Sequence, residues 1–486
     1  MLSCIAIHLF TYFFIFIIMA YTTQKIHAYF KLFTQAVKGD IKDFTTGSID
    51  RAIFLLAVPM VLEMVLESLF AVVDIYFVNK IGIDASSTVV LTEASLSILY
   101  SVAWGLSIGV TAMVARRAGE KNFKAASEIA VQAILLGSFL SLIISVVGFI
   151  FPKEILMLMG ATDKSAQENY LFTQIMLTGN IVIVLLFINN AVFRGVGNAS
   201  IAMKALLIAN AINIVLDPLL ILGIGPFPKM GIVGAAVATT FGRSCAVVYQ
   251  FYHLFHGKAL IKLAVKQFTV QISLIRSILI TSSGGMFQFI IGSCSWIFLA
   301  MIIAESGSAA VSGYGTAIRI CIFTLLPAWG MANAAATLVG QNLGANQPER
   351  AEKSVWRTAF LTFCFFALVA VIFFIFGEQL MRFFIQDKGA IIAGTQCLHI
   401  LAIGYVFFAY GMIVSQAFNG AGDTKTPTYI NLFVFWLLQI PVAYLLAKFL
   451  KMGPTGVYIA IAISETVLAI ISIIVFKKGK WKLVKV

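Results

Sequence analysis

From residue 51 onward the chain is a succession of apolar runs, many of about 20 residues or more, each long enough to cross a ~30 Å hydrocarbon layer as a helix. Inside lipid a backbone must satisfy its own hydrogen bonds, which leaves helices or a closed barrel. Barrel strands would alternate over segments of about 10 residues, and no such alternation is present. Composition agrees with helices in a membrane. The 486 residues are 60% hydrophobic and 11% charged, with a mean hydropathy of +0.97, too little polar surface for a soluble protein. The runs predict twelve spans, at roughly 52–79, 87–115, 129–151, 167–193, 202–224, 231–255, 277–304, 312–340, 355–376, 394–418, 428–450 and 454–476.

Lys and Arg set the expected orientation. With both ends of the twelve-span body in the cytoplasm, most of the 34 basic residues fall on that side. They include Arg116, Arg117, Lys121 and Lys124 after span two, Lys258, Lys262, Lys266 and Arg276 between spans six and seven, and the tail "KKGKWKLVKV". The net charge of +13 then reads as an orientation signal and as contact with anionic membrane lipid, not as nucleic-acid binding. The apolar run at 4–21, "CIAIHLFTYFFIFIIMAY", does not fit this count, because a thirteenth span would put Met1 outside. It is short and lacks both a basic n-region and a small-residue cleavage site. Two readings stand for it: a mis-assigned start or dispensable extension, and an extra helix. The six cysteines lie mostly mid-span without paired spacing, and the five histidines form no ligand cluster, so neither disulfide nor metal is expected.

The chain also repeats itself. Shifted by 225 residues, "GLSIGVTAMVARRAGEKN" (105–122) lies over "GMANAAATLVGQNLGANQ" (330–347), and "RGVGN" (194–198) over "NGAGD" (419–423). Arg51 meets Arg276, Gly82 meets Gly307 and Gly179 meets Gly404. A three-residue shortening then brings "MGIVGAAVA" (230–238) over "MGPTGVYIA" (452–460). Each copy holds six spans, an even number, so the second enters the membrane from the same side as the first. The expected fold is an all-α integral membrane protein with two parallel six-helix lobes around a central cavity, a plan of transporters that rock about it. Residues 1–47 form an extension, 48–255 the amino lobe, 256–276 a cytoplasmic linker, 277–476 the carboxy lobe and 477–486 a basic cytoplasmic tail.

A charged side chain at the bilayer centre costs at least ~2.5 kcal/mol, so each one needs a reason. Most lie in the amino lobe: Glu63, Glu67, Asp74, Glu93 and Asp217, against Glu305 and Glu465 in the carboxy lobe. At ~100° per residue Glu63, Glu67 and Asp74 share one face of span one, and Pro59 just before them predicts a bend. Span five carries Asn210, Asn213, Asp217 and Pro218, with Asn213 and Asp217 one turn apart; span four ends with Asn189 and Asn190, and span six has Thr239 and Thr240. Buried carboxyls beside amides suit the carriage of H⁺, and in ionised form of Na⁺. The alternative is that they join helices. That reading is preferred for a single Asn, for Glu93 and for Glu465, the last two as partners of Arg319 or Arg243. Function is preferred for Asp74 and Asp217, and Glu63 and Glu67 stand evenly between a proton relay and a wet passage. Gln288, Tyr405, Phe408 and Tyr410 are candidates to line a cavity for flat hydrophobic ligands. No enzyme constellation is present, and no cofactor is expected beyond the coupling ion.

"LAVPMVLEMVLESLFAVVDIYFVNKIG", "AVFRGVGNASIAMKALLIANAINIVLDPLLILGIG" and "MGIVGAAVATTFGR" resemble multidrug and toxic compound extrusion (MATE) transporters, over about residues 48–478 in order. The resemblance implies export of amphipathic, often cationic drug-like compounds in exchange for H⁺ or Na⁺. It implies a coupling role for Asp74 and a bend at Pro59. It places Asn190, Asn213 and Asp217 in the amino-lobe network of the branch that includes the DNA-damage-inducible type, with Thr239 a looser match. Where the norfloxacin-export branch has acidic residues in helices seven and ten, this chain has Gly292 and Phe408. Coupling is therefore expected in the amino lobe, with H⁺ favoured over Na⁺, in a monomer of the bacterial inner membrane. The competing expectation is a flippase for a lipid-linked saccharide, which would want a strongly basic cavity.

Overall fold

A computed structural model describes residues 23–39, 43–78, 81, 83–256 and 260–486. Among them twelve helices are long and apolar enough to cross a membrane, and they are numbered here as spans one to twelve. The amino lobe has Ile49–Leu69, Ala85–Gly119, Phe123–Ile150, Asp163–Gly195, Ala199–Leu222 and Ile232–Phe255. The carboxy lobe has Ile272–Ala304, Ser308–Gly344, Pro348–Phe384, Lys388–Ala421, Lys425–Phe449 and Pro454–Lys477. The count is the one expected from the apolar runs, and several helices overrun them. Span eight is 37 residues, roughly 55 Å at 1.5 Å per residue, so hydropathy marks only its lipid-depth portion. Span four is broken at Gly179 into Asp163–Thr178 and Asn180–Gly195, and span eleven is π-helical over Leu432–Gln439 and Leu445–Phe449.

The apolar run at 4–21 lies outside the described residues. The helix that follows it, Thr23–Lys38, is joined to the body: Ala36 and Phe44 are buried against span one, and Lys204 Nζ donates to the Lys38 carbonyl at 2.9 Å.

Each lobe has its own apolar core, built in the amino lobe around Leu96, Val110, Ile188 and Phe193 and in the carboxy lobe around Phe366, Phe373, Tyr405 and Tyr458. Between the lobes, contacts come in pairs that exchange repeat mates. A Cβ on Gly105 would fall on Met286, and one on Gly330 would fall on Val61. A Cβ on Gly119 would fall on the Gln341 carbonyl, and one on Gly344 on the Arg116 carbonyl. Each second member lies 225 positions after its mate, the reciprocity that a twofold relation demands.

These close approaches all lie on the carboxyl-terminal halves of spans two and eight. On span two the contact face runs through Gly105, Ile108, Ala112 and Ala115; followed back by helical spacing it reaches Ile98, Ala94 and Val90, where Ile98 is 72% exposed. On span eight the face through Gly330 and Gly340 runs back to Phe323, Arg319 and Gly315, where Phe323 is 42% exposed. The lobes therefore meet at one end and part at the other.

The meeting end is strapped. Arg350 of span nine donates to the Gly47 carbonyl at 2.8 Å and the Thr46 carbonyl at 3.0 Å, and Gln341 Nε2 donates to the Gly195 carbonyl at 2.8 Å. The tail seats Trp481 against Phe476, ring centroids 4.6 Å apart, then crosses to the amino lobe. There Arg117 donates to the Val486 carbonyl at 2.7 Å and Arg116 to the Val484 carbonyl.

Candidate functional site

Span one runs unbroken through Pro59 as the helix Ile49–Val78, so the carbonyl of Leu55 has no backbone donor four residues on. That turn borders a small cavity lined by Leu55, Pro59, Phe44 and Asn198. One turn further on, Glu63 is 1% exposed and Arg194 of span four is 4% exposed. Arg194 Nη1 donates to Glu63 Oε1 at 3.1 Å, and Asn190 Nδ2 donates to the same oxygen at 2.9 Å. Ser107 of span two accepts from Arg194 Nη2 at 2.7 Å, and Gln250 of span six donates to Asn190 Oδ1 at 2.5 Å. Another turn on, Glu67 lies 3.7 Å from Arg243 of span six, which also donates to the Tyr100 hydroxyl at 3.4 Å and interacts electrostatically with Glu93. Both glutamates are thus tied to arginines of other spans. Asp74 is on the same helix, and its side chain lies outside those described.

A second polar cluster lies between spans five and six. These helices approach until Gly234 and Gly242 leave no room for a Cβ against the span-five backbone. Thr239 falls between those glycines, and Asn213 Nδ2 lies 3.4 Å from its hydroxyl and donates to Asp217 Oδ1 at 3.1 Å. Asn213 and Asp217 are fully buried, and Pro218 removes the donor for the Ile214 carbonyl beside them. The structure brings Asn213, Asp217 and Thr239 together, and it places Asn190 with Glu63 and Arg194 instead.

The carboxy lobe repeats the first arrangement without its charges. The 225-residue offset puts Gln288 over Glu63 and Asn419 over Arg194. Gln288 Nε2 donates to Asn419 Oδ1 at 3.0 Å and Asn419 Nδ2 returns a bond to Gln288 Oε1 at 3.1 Å. In span eleven, the repeat mate of span five, Gln439 accepts from Ser295 of span seven at 2.8 Å. Carried through the shortened offset, Arg243 falls over Glu465. Glu465 is buried against Gly404, its Oε2 has no hydrogen-bond partner, and it forms no ion pair with Arg319 or Arg243, contrary to the expectation for it.

Of the residues expected to line a cavity, Tyr405 is buried between Phe366 and Phe373, Phe408 and Tyr410 pack at the edge of that core, and Gln288 sits in the amide pair. Arg194 is the residue the sequence hides best, since "RGVG" reads as a turn; the offset that sets Arg194 over Asn419 is the signal that marks it. The five described cysteines are free, and no group of three metal-binding side chains occurs among the described residues.

Known proteins share this plan. A protein named "Probable multidrug resistance protein NorM" from Thermotoga maritima is 27% identical over 441 residues, covering 88% of this chain and 92% of its own. One named "FAD transporter" from Shewanella oneidensis is 25% identical over 426 residues, covering 87% and 94%. A solved structure described as an outward-facing conformation of a multidrug resistance MATE family transporter of the MOP superfamily superposes with a TM-score of 0.83 at 25% identity, over 91% of this chain and 98% of that one. The MatE family profile matches residues 59–219 and 286–445, one stretch in each lobe. The chain belongs to the MatE family of multi-pass membrane transporters, as the resemblance of its sequence stretches led one to expect.

Proposed function

We propose that this protein is a secondary active exporter of amphipathic or cationic drug-like molecules, driven by an inward-moving cation, H⁺ in preference to Na⁺. The observation that carries the reading is the buried Asn213–Asp217–Thr239 cluster in a two-lobed fold that is parted at one end only. Asp217 and Asp74 take the cation in the conformation parted at the end away from the basic tail. Neutralising them removes the charge that holds the amino-lobe helices in register and lets span one bend at Pro59. The bend moves Glu63 and Glu67 against their arginine partners on spans four and six, so both glutamates act as anchors of span one. Ion and drug then compete because each prefers a different arrangement of the same helices.

The basic end is read as cytoplasmic, in the inner membrane. A flippase would want several free basic groups over the cavity; Arg243 is engaged by Glu67 and Tyr100, which leaves Arg319 on the exposed face of span eight, thin support for that reading.

Ethidium accumulation in cells with and without the gene tests the proposal, under an imposed pH gradient and under a Na⁺ gradient. Lower accumulation with the gene, abolished by Asp74→Asn at normal membrane expression, is expected under the pH gradient. No difference under either gradient would favour the flippase.

A further inference from the structure

Where the lobes begin to part, two tryptophans meet across the molecular twofold. Trp104 of span two and Trp329 of span eight are repeat mates, 225 residues apart, and their rings lie edge to face with centroids 5.3 Å apart at 72°. Phe187 of span four adds a third ring, 5.5 Å from Trp104. Both indoles are half-buried. On one side of them the lobes are in backbone contact at Gly105 and Gly330; on the other the same helix faces are exposed at Ile98 and Phe323. Beneath Trp104 is a small chamber whose walls mix Ser107, Thr111 and Asn333 with Ile108 and Ala112, and which the repeat mates Arg194 and Asn419 also line.

We propose that Trp104 and Trp329 form the floor of the substrate cleft and hold the planar aromatic ring system of the transported molecule. This rests on the exporter reading above and names the feature of substrate its site recognises. Indole offers a large apolar face at small entropic cost, and ring stacking adds about 0.5–1.5 kcal/mol beyond area burial. Placed at the vertex, the pair touches whatever lies deepest in the cleft. Gly330, the neighbour of Trp329, packs on the backbone of Val61, two residues after Pro59, so a bend in span one shifts the floor directly. A ring stacked there is in a position to be released when span one moves.

The test is ethidium binding to the purified full-length protein, with Trp104→Leu, Trp329→Leu and the ring-retaining Trp104→Phe and Trp329→Phe, and Trp436→Phe as a control. Trp436 packs on Phe298 inside the carboxy lobe and bonds the Ile291 carbonyl, away from the vertex. The Leu variants are expected to bind about 2- to 10-fold more weakly, the Phe variants and the control within about twofold of the unmodified protein. Leu variants that bind as tightly as the unmodified protein would overturn the inference, and so would Phe variants that fail as badly as Leu. Absence of binding by the unmodified protein would instead overturn the exporter reading and carry this inference with it.

Discussion

In the amino lobe Glu63 and Arg194 meet as a buried ion pair; 225 residues later, in the carboxy lobe, Gln288 and Asn419 meet as two neutral amides. The helices that carry them cross in equivalent places, so the crossing itself does not require charge. Burying a carboxylate and a guanidinium costs several kcal/mol per ion before their attraction and hydrogen bonds offset it. A fold that holds the same joint with amides on one side and ions on the other has kept the ions for a purpose that the joint alone does not supply. Span five with Asp217 against span eleven with the neutral Gln439 repeats the lesson, and Arg243 against Glu465 shows the exchange running the other way. The carboxy lobe is the neutral copy at the first two places, which makes it a control for the amino lobe within one chain.

Breaking the ion pair from one side gives the largest effect expected. Arg194→Ala leaves Glu63 buried with Asn190 as its remaining partner, and removal of one member of such a pair costs about 3–5 kcal/mol. Folded yield and Tm of the purified protein should both fall. The double substitution Glu63→Gln with Arg194→Asn writes the carboxy-lobe pair into the amino lobe and should recover most of the lost Tm. A double variant as unstable as Arg194→Ala would break the equivalence of the two joints. The smallest effect belongs to an exposed charge outside the spans. Asp43 accepts from the Thr45 hydroxyl and from its N–H at 2.9 Å and lies 3.6 Å from Lys121, and these hold its carboxyl below the ordinary 3.8. A depressed value in the folded state contributes stability above pH ~4 that is lost as pH falls through the folded value. Asp43→Asn should therefore lower stability slightly near neutral pH, by less than about 1 kcal/mol, and the loss should shrink as pH falls below the ordinary 3.8. A loss as large as that of Arg194→Ala would remove the contrast between exposed and buried charge.

Much of this architecture was legible from residues alone, for physical reasons. Lipid allows few backbone solutions, so apolar runs translate into spans, and the 225-residue offset translates into two lobes. Asn213 and Asp217 are one helical turn apart, and local spacing was enough to join them. Glu63 and Arg194 are 131 positions apart, and no local pattern reports such a distance; only the repeat, read against Gln288 and Asn419, points to it. Trp104 and Trp329 are marked by the same offset, but a tryptophan in an apolar helix ordinarily signals packing. Helix ends were the least legible, because spans such as Ser308–Gly344 continue past their apolar portion on interlobe contacts.

The claim that coupling resides in the amino lobe is tested most directly by ethidium movement into proteoliposomes of the purified protein, driven by the cation gradient that drives the unmodified protein. The pair to compare is Asp217→Asn and Gln439→Ala, one buried polar side chain in each of the repeat-mate spans five and eleven. The account predicts that Asp217→Asn falls to the rate of protein-free liposomes while Gln439→Ala keeps most of its gradient-driven transport. Equal rates for the two, or loss in Gln439→Ala alone, would contradict it.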